Sequence, residues 1–100
     1  MAEQSQSYDA STREPSIFNL GHTYRKLRQF DKAIEWYRAA LAISPRVAST
    51  YSALGLTLHL RGDVHAAIEL YHQALSLKPD DTFTCEMLTE ALKDLDEAVN

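Results

Sequence analysis

Much of what proteins use for chemistry is scarce in this chain. Only one of its 100 residues, Cys85, is a cysteine, so no internal disulfide can form and no CxxC pair exists. That count is compatible with a reducing compartment. Three glycines, at 21, 55 and 62, are too few and too dispersed for a phosphate-cradling loop. Positive charge is short as well. Ten Lys and Arg face fourteen Asp and Glu, a formal net charge of −4, which argues against general binding to nucleic acid or to an anionic membrane surface. No apolar run approaches the roughly 18–20 residues of a bilayer-spanning helix. Residues 1–13 are polar and lack the apolar stretch of a secretory signal. The histidines, His22, His59, His65 and His72, include no pair at i, i+4 beside an acid, and HExxH is absent. His65 and His72, seven apart, share a helical face, where solvated surface is a simpler reading than a metal site. What remains, 45% apolar and 24% charged residues, is ordinary for one small globular domain.

What is present is a sentence written twice. Sliding the chain by 34 residues aligns Leu20 with Leu54, Gly21 with Gly55, Thr23 with Thr57 and Ala33 with Ala67. It also aligns Ile34 with Ile68, Glu35 with Glu69, Tyr37 with Tyr71, Ala40 with Ala74, Leu41 with Leu75 and Pro45 with Pro79. Period and pattern are those of the tetratricopeptide repeat, a helix–turn–helix unit that presents surfaces to other proteins. The chain therefore reads as all-α: a short solenoid of two such repeats followed by one capping helix.

Its parts follow from local chemistry. Residues 1–13 read as a disordered lead. Repeat one spans 14–47, opening at Glu14-Pro15, because proline is tolerated in a first helical turn. Its helices run to about Leu27 and from about Phe30 to Ile43, stopping before Pro45. Repeat two spans 48–81, with helices over about Ala48–Leu60 and Val64–Leu77. Gly62 makes the sharp turn between them and Asp63 is the expected N-cap. Arg28 stands where Gly62 stands one repeat later, so a left-handed conformation there costs about 1 kcal/mol. The remainder, 82–100, reads as a capping helix over about Thr82–Leu95 plus a tail, capped by Asp80 or Asp81. Cys85, Leu88, Leu92 and Leu95 form its expected apolar face, with Cys85 packed as a small hydrophobe.

Small residues at 21, 33, 40, 55, 67 and 74 let helices approach, and Leu20, Tyr24, Tyr37, Leu54 and Tyr71 fill the space between them. Two repeats are fewer than the three or so normally needed for stability. With no cap before Pro15, the first helix is expected to expose an apolar edge, which points to self-association or to the loss of an upstream array. In stacked helix pairs the first helix of each pair lines an inner groove. Removing the packing positions leaves Phe18, Asn19, His22 and Arg25, then Ser52, Ala53, Leu56 and His59, then Phe83, Glu86 and Met87. Phe18, Leu56, Phe83 and Met87 are apolar without a role in repeat packing, so the groove suits an extended or helical peptide. Arg25, Lys26 and Arg28 form a small basic cluster, a solvated helix end or a contact for an acidic peptide. Nothing here points to a catalytic constellation or a cofactor.

Within the superfamily one resemblance is closer. Asn19–Leu27 (NLGHTYRKL), Ala48–Gly55 (ASTYSALG) and Leu77–Phe83 (LKPDDTF) followed by Glu86-Met87-Leu88 resemble the final repeats of the tetratricopeptide subunit six of the anaphase-promoting complex. The repeat does not demand Ser-Thr-Tyr-Ser or Asp-Asp-Thr-Phe, so these stretches discriminate. The resemblance implies a non-catalytic scaffold in a ubiquitin ligase of the cell cycle, acting in mitosis in nucleus and cytoplasm. It implies protein partners, namely other complex subunits and the N-terminal segment of a small accessory subunit held in the groove, with neither nucleic acid nor membrane as partner. It covers only the C-terminal end of much longer proteins. The alternative is a generic tetratricopeptide adaptor or co-chaperone. The clamp such a co-chaperone uses for a heat-shock protein's carboxylates resembles a ring of Lys, Asn and Arg, whereas this chain has Phe18, His22, Ala53, Phe83 and Met87 in those places.

Overall fold

The computed structural model of the protein describes residues 10–99, with side chains described over 16–97. Five helices follow one another: α1 (Ala10–Lys26), α2 (Phe30–Ile43), α3 (Ala48–Arg61), α4 (Val64–Leu77) and α5 (Thr82–Val99). No strand occurs among the described residues. Each helix packs on its neighbours in sequence. The first helices of successive units also touch, α1 with α3 and α3 with α5.

The two repeats use the same device to hold their helices together. Tyr37 of α2 and Tyr71 of α4 are fully buried, as are Ala33, Ala40, Ala67, Ala74 and Leu54. Gly21 lies under the ring of Tyr37, where a Cβ would come within 2.5 Å of Cε1. Gly55 lies under Tyr71 in the same way, at 2.8 Å. The glycine is thus the seat of the tyrosine, which explains why the two residue types recur together at this period.

The turns also repeat. Arg28 has φ 63° and Gly62 has φ 104°. In the first, Gln29 N–H donates to the Tyr24 carbonyl at 2.9 Å; in the second, Asp63 N–H donates to Leu58 at 2.8 Å. These bonds close the helix on a left-handed residue, and the guanidinium of Arg28 sits 5.3 Å over the Phe30 ring. Ser44 and Lys78, each before a proline, leave the helix, with φ −132° and ψ 87° at Ser44 and φ −142° and ψ 83° at Lys78. Asp63 precedes α4 as expected, but its side chain caps nothing. Its carboxylate accepts from Arg61 Nε at 2.8 Å instead, and Arg61 also bonds Asp31 of the first repeat.

Three expectations need correction. First, α1 begins at Ala10, so Pro15 is its sixth residue rather than part of its first turn. The expected disordered lead over 1–13 is helical at 10–13, and 1–9 lie outside the described residues. Second, Leu20 is 38% exposed and Leu27 59% exposed, so Leu20 does not fill the core as Leu54 does. Third, α5 buries Thr84 and Ala91 while Cys85 is exposed and Leu92 is 48% exposed. The repeat register explains the difference. Thr84, Leu88 and Leu92 stand 34 residues after Thr50, Leu54 and Leu58, so α5 is built as the first helix of a third unit. Its Thr84–Ala91 edge meets the preceding unit. Its Cys85–Leu92 edge matches the one that a second helix covers in units one and two, and no second helix stands there among the described residues.

Candidate partner groove

A groove of about 400 Å³ runs between the three first helices. From α1 it takes Phe18, His22 and Arg25, spaced i, i+4, i+7 on one face. From α3 it takes Ser49, Ser52, Ala53 and Leu56 at the same periodicity. Lys78 and Asp81 come from the turn after α4, and Phe83 from the start of α5.

Of the residues expected to face a partner, Phe18, His22, Arg25, Ser52, Ala53, Leu56 and Phe83 meet in this groove. Four others do not, and of these Glu86 is simply exposed on α5. Asn19 is exposed on α1, its carbonyl accepting from the Thr23 hydroxyl at 3.1 Å. Met87 is half-buried and packs against the core. His59 is engaged between helices: its Nε2 lies 2.7 Å from Asp94 Oδ2 of α5, and its Nδ1 lies 3.4 Å from the Tyr71 hydroxyl. Phe18 is also tied into packing more than expected. Its ring stands edge-on to His22 at 4.4 Å and tilted against Tyr37 at 5.7 Å. Leu56 is half-buried and Phe83 is exposed, so these two are the groove's most available apolar side chains.

The polar rim is organised by two networks. In the first, Tyr37 reaches from the core into the groove. Its hydroxyl donates to His22 Nδ1 at 2.7 Å and accepts from Arg25 Nε at 3.3 Å. Arg25 Nη2 also donates to His22 Nδ1, at 3.1 Å. An arginine can only donate, so Nδ1 is an acceptor and the ring's proton sits on Nε2. Burial holds His22 below the usual histidine range, and the charges of Arg25 and Lys26 push it the same way. Burial raises the hydroxyl of Tyr37, and that of Tyr71 to about 12. Both tyrosines are therefore neutral hydrogen-bonding groups.

The second network fixes α5 on α3. Thr84 Oγ1 donates to Asp81 Oδ2 at 2.5 Å, so the 2.5 Å contact with Ser52 makes Ser52 the donor to Thr84. Ser52 is buried in this role. Helical phasing gives Lys78 and Asp81 no place in the groove, since their turn reads as a helix stop with Asp80 or Asp81 capping the next helix. The Lys78-Pro79-Asp80-Asp81 charges were the available signal. The basic cluster of the first turn divides: Arg25 faces the groove, Lys26 is exposed, and Arg28 lies over Phe30. Among the described residues no three His, Cys, Asp or Glu side chains gather as a metal site, and no helix is long and apolar enough to cross a membrane. The groove offers an apolar strip flanked by two cations, Arg25 and Lys78, and one carboxylate, Asp81.

Comparison with known proteins agrees with this architecture. The tetratricopeptide repeat family model matches residues 12–80. The chain is 53% identical over 79 residues to anaphase-promoting complex subunit 6 of Dictyostelium discoideum, covering 79% of this chain and 9% of that protein. It is 54% identical over 81 residues to anaphase-promoting complex subunit 6 of Arabidopsis thaliana, covering 81% and 15%. It is 42% identical over 80 residues to the human cell division cycle protein 16 homolog, covering 80% and 13%. In structure it is similar to a chain in the crystal structure of the APC/C hetero-tetramer Cut9–Hcn1, with TM-score 0.78 and 30% identity over 79% of this chain and 15% of that one. The chain thus spans less than a sixth of the length of these relatives. The 34-residue register, the glycine-seated tyrosines and the family match lead to one conclusion: this chain belongs to the tetratricopeptide repeat family.

Proposed function

We propose that the chain is a non-catalytic interaction module that holds an extended partner segment in the groove between α1, α3 and α5. One observation carries the reading. Phe18, Leu56 and Phe83, from three different helices, converge on one cavity, and Leu56 and Phe83 stand outside the core cluster that holds the repeats together. The likeness to subunit 6 proteins supports a setting among the subunits of an anaphase-promoting complex, in nucleus and cytoplasm, with an accessory subunit's segment as the occupant. In the similar solved assembly Cut9 is found with Hcn1, which fits that setting. The exposed Leu20 and Leu27 edge of α1 supports association with a further repeat or a second copy.

The test is calorimetric titration with a synthetic N-terminal segment of the accessory subunit. Leu56→Glu places a charge in the middle of the apolar strip and weakens binding by about 2 kcal/mol or more, as loss of a buried anchor does. Circular dichroism stays unchanged, because Leu56 lies outside the core cluster. Glu35→Lys, on the exposed face of α2, leaves the affinity within a few tenths of a kcal/mol. If Leu56→Glu binds like the parent, the groove reading is wrong.

A further inference from the structure

Unit one carries a feature that its own copy does without. A second cavity, of about 430 Å³, opens beside the turn between α1 and α2 and shares no residue with the groove. Arg28, Phe30, Asp31 and Lys32 line it from unit one, and Arg61 closes it from the end of α3. Three cations thus face it against one carboxylate. One repeat later the same turn is made with Gly62, Val64 and Ala66 in place of Arg28, Phe30 and Lys32. The turn therefore needs neither the two cations nor the ring. Arg28 even stands at φ 63°, a conformation that glycine takes without strain. Among the described residues the ion pairs are His59 with Asp94 and Arg61 with Asp31 and Asp63. Arg28 and Lys32 pair with no carboxylate there. The Arg28 guanidinium lies 5.3 Å over the Phe30 ring, and the Lys32 ammonium 5.7 Å over the Tyr24 ring.

We propose that this cavity docks an acidic segment of a partner protein, with carboxylates from two of its side chains on Arg28 and Lys32. Charge decides the occupant. The chain carries a net −4, yet between residues 14 and 47 six Lys and Arg stand against three Asp and Glu, while from 82 to 100 one stands against five. Unit one is thus a positive field on an acidic molecule, and it draws an anion to the end where the two unpaired cations stand. Arg61 supplies wall rather than charge, because Asp31 and Asp63 neutralise it. Its bond to Asp31 ties the two units together, so the far side of the cavity is set before anything binds. The rings beside Arg28 and Lys32 steady those two side chains in turn. Each charge has its own ring, so the segment meets them with two separate carboxylates rather than with one phosphate. The surface is independent of the groove, whose cations are Arg25 and Lys78.

The test is fluorescence anisotropy of a labelled hexaglutamate peptide titrated with the 100-residue chain, at low and at physiological salt. The peptide binds, and added salt weakens it. Arg28→Gly combined with Lys32→Ala weakens binding about tenfold, and Lys32→Ala alone roughly threefold, as loss of exposed ion pairs does. Both variants keep the helical circular dichroism spectrum, because unit two folds with glycine and alanine in those places. Arg46→Ala removes an exposed cation of unit one outside the cavity, and Lys78→Ala removes one from the groove. Each leaves the affinity within about twofold. A peptide carrying one phosphoserine and no other charge binds more weakly than hexaglutamate. The proposal is overturned if hexaglutamate does not bind, if Arg46→Ala or Lys78→Ala weakens it as much as the double variant, or if the phosphoserine peptide binds more tightly.

Discussion

Replacing Gly55 by alanine should destabilise the chain, although alanine is the better helix former. Two effects oppose each other. On an open helix surface the change stabilises by about 1 kcal/mol, because glycine loses more backbone entropy on folding. Here the new methyl would lie 2.8 Å from Tyr71 Cε1, 2.9 Å from Cδ1 and 3.3 Å from the Ala67 carbonyl. Tyr71 and Ala67 are both fully buried, so neither can yield into solvent. Overpacking of a closed site costs about 1–3 kcal/mol, and more where backbone must shift. With a ring and a carbonyl both in the way, the upper part of that range applies. The net loss is about 1–2 kcal/mol, or roughly 4–12 °C in Tm for a chain of this size. Gly21→Ala, with its still closer contact to Tyr37, should move the same way. The assay is urea denaturation followed by circular dichroism, with the midpoint shifting at constant slope. If Gly55→Ala proves as stable as the parent or more so, the tyrosine does not sit on the glycine and the account of repeat packing is wrong.

Other outcomes follow from single residues. Gly62→Arg should cost about 1 kcal/mol by placing a side chain at φ 104°, while Arg28→Gly gains less than that, because added unfolded-state entropy offsets the relieved strain; both are read by thermal unfolding. Thr50→Val should be neutral or stabilising by up to about 1 kcal/mol, since the buried Oγ1 of Thr50 has no hydrogen-bond partner, and urea midpoints report it. His22 has its folded pKa below the unfolded value near 6.5, so the unfolded chain takes up a proton first as pH falls. The stability linked to neutral His22 is thus complete above pH 6.5 and declines below it. His22→Gln should flatten the difference in urea midpoint between pH 7.5 and 5.5; an unchanged difference would remove His22 as the cause.

The sequence carried the repeat because its packing is local and periodic. Small residues at one spacing and tyrosines at another could satisfy only helix pairs, and α2 and α4 have the bounds that Pro45 and Pro79 dictate. The two left-handed turns could be read from the alignment of Arg28 with Gly62. What could not be read depends on the third dimension. Tyr37 looked like core filler, yet its hydroxyl organises His22 and Arg25 on the groove wall. His59 looked like a groove residue, but Asp94 on the far side of the α3–α5 contact draws it aside. Cys85 and Leu92 looked buried, since helical periodicity gives a face but not its cover. Lys78 and Asp81 reach the groove only because the turn after α4 folds against it.

The proposed function requires that one groove, built from three first helices, receives the partner segment. NMR titration of the labelled chain with the accessory-subunit segment tests it most directly. Resonances of Phe18, Leu56 and Phe83 should shift together and saturate at one stoichiometry, while Glu35 and Glu69 on the exposed faces of α2 and α4 stay still. Saturating shifts at Glu35 and Glu69 with Phe18, Leu56 and Phe83 unmoved would contradict it.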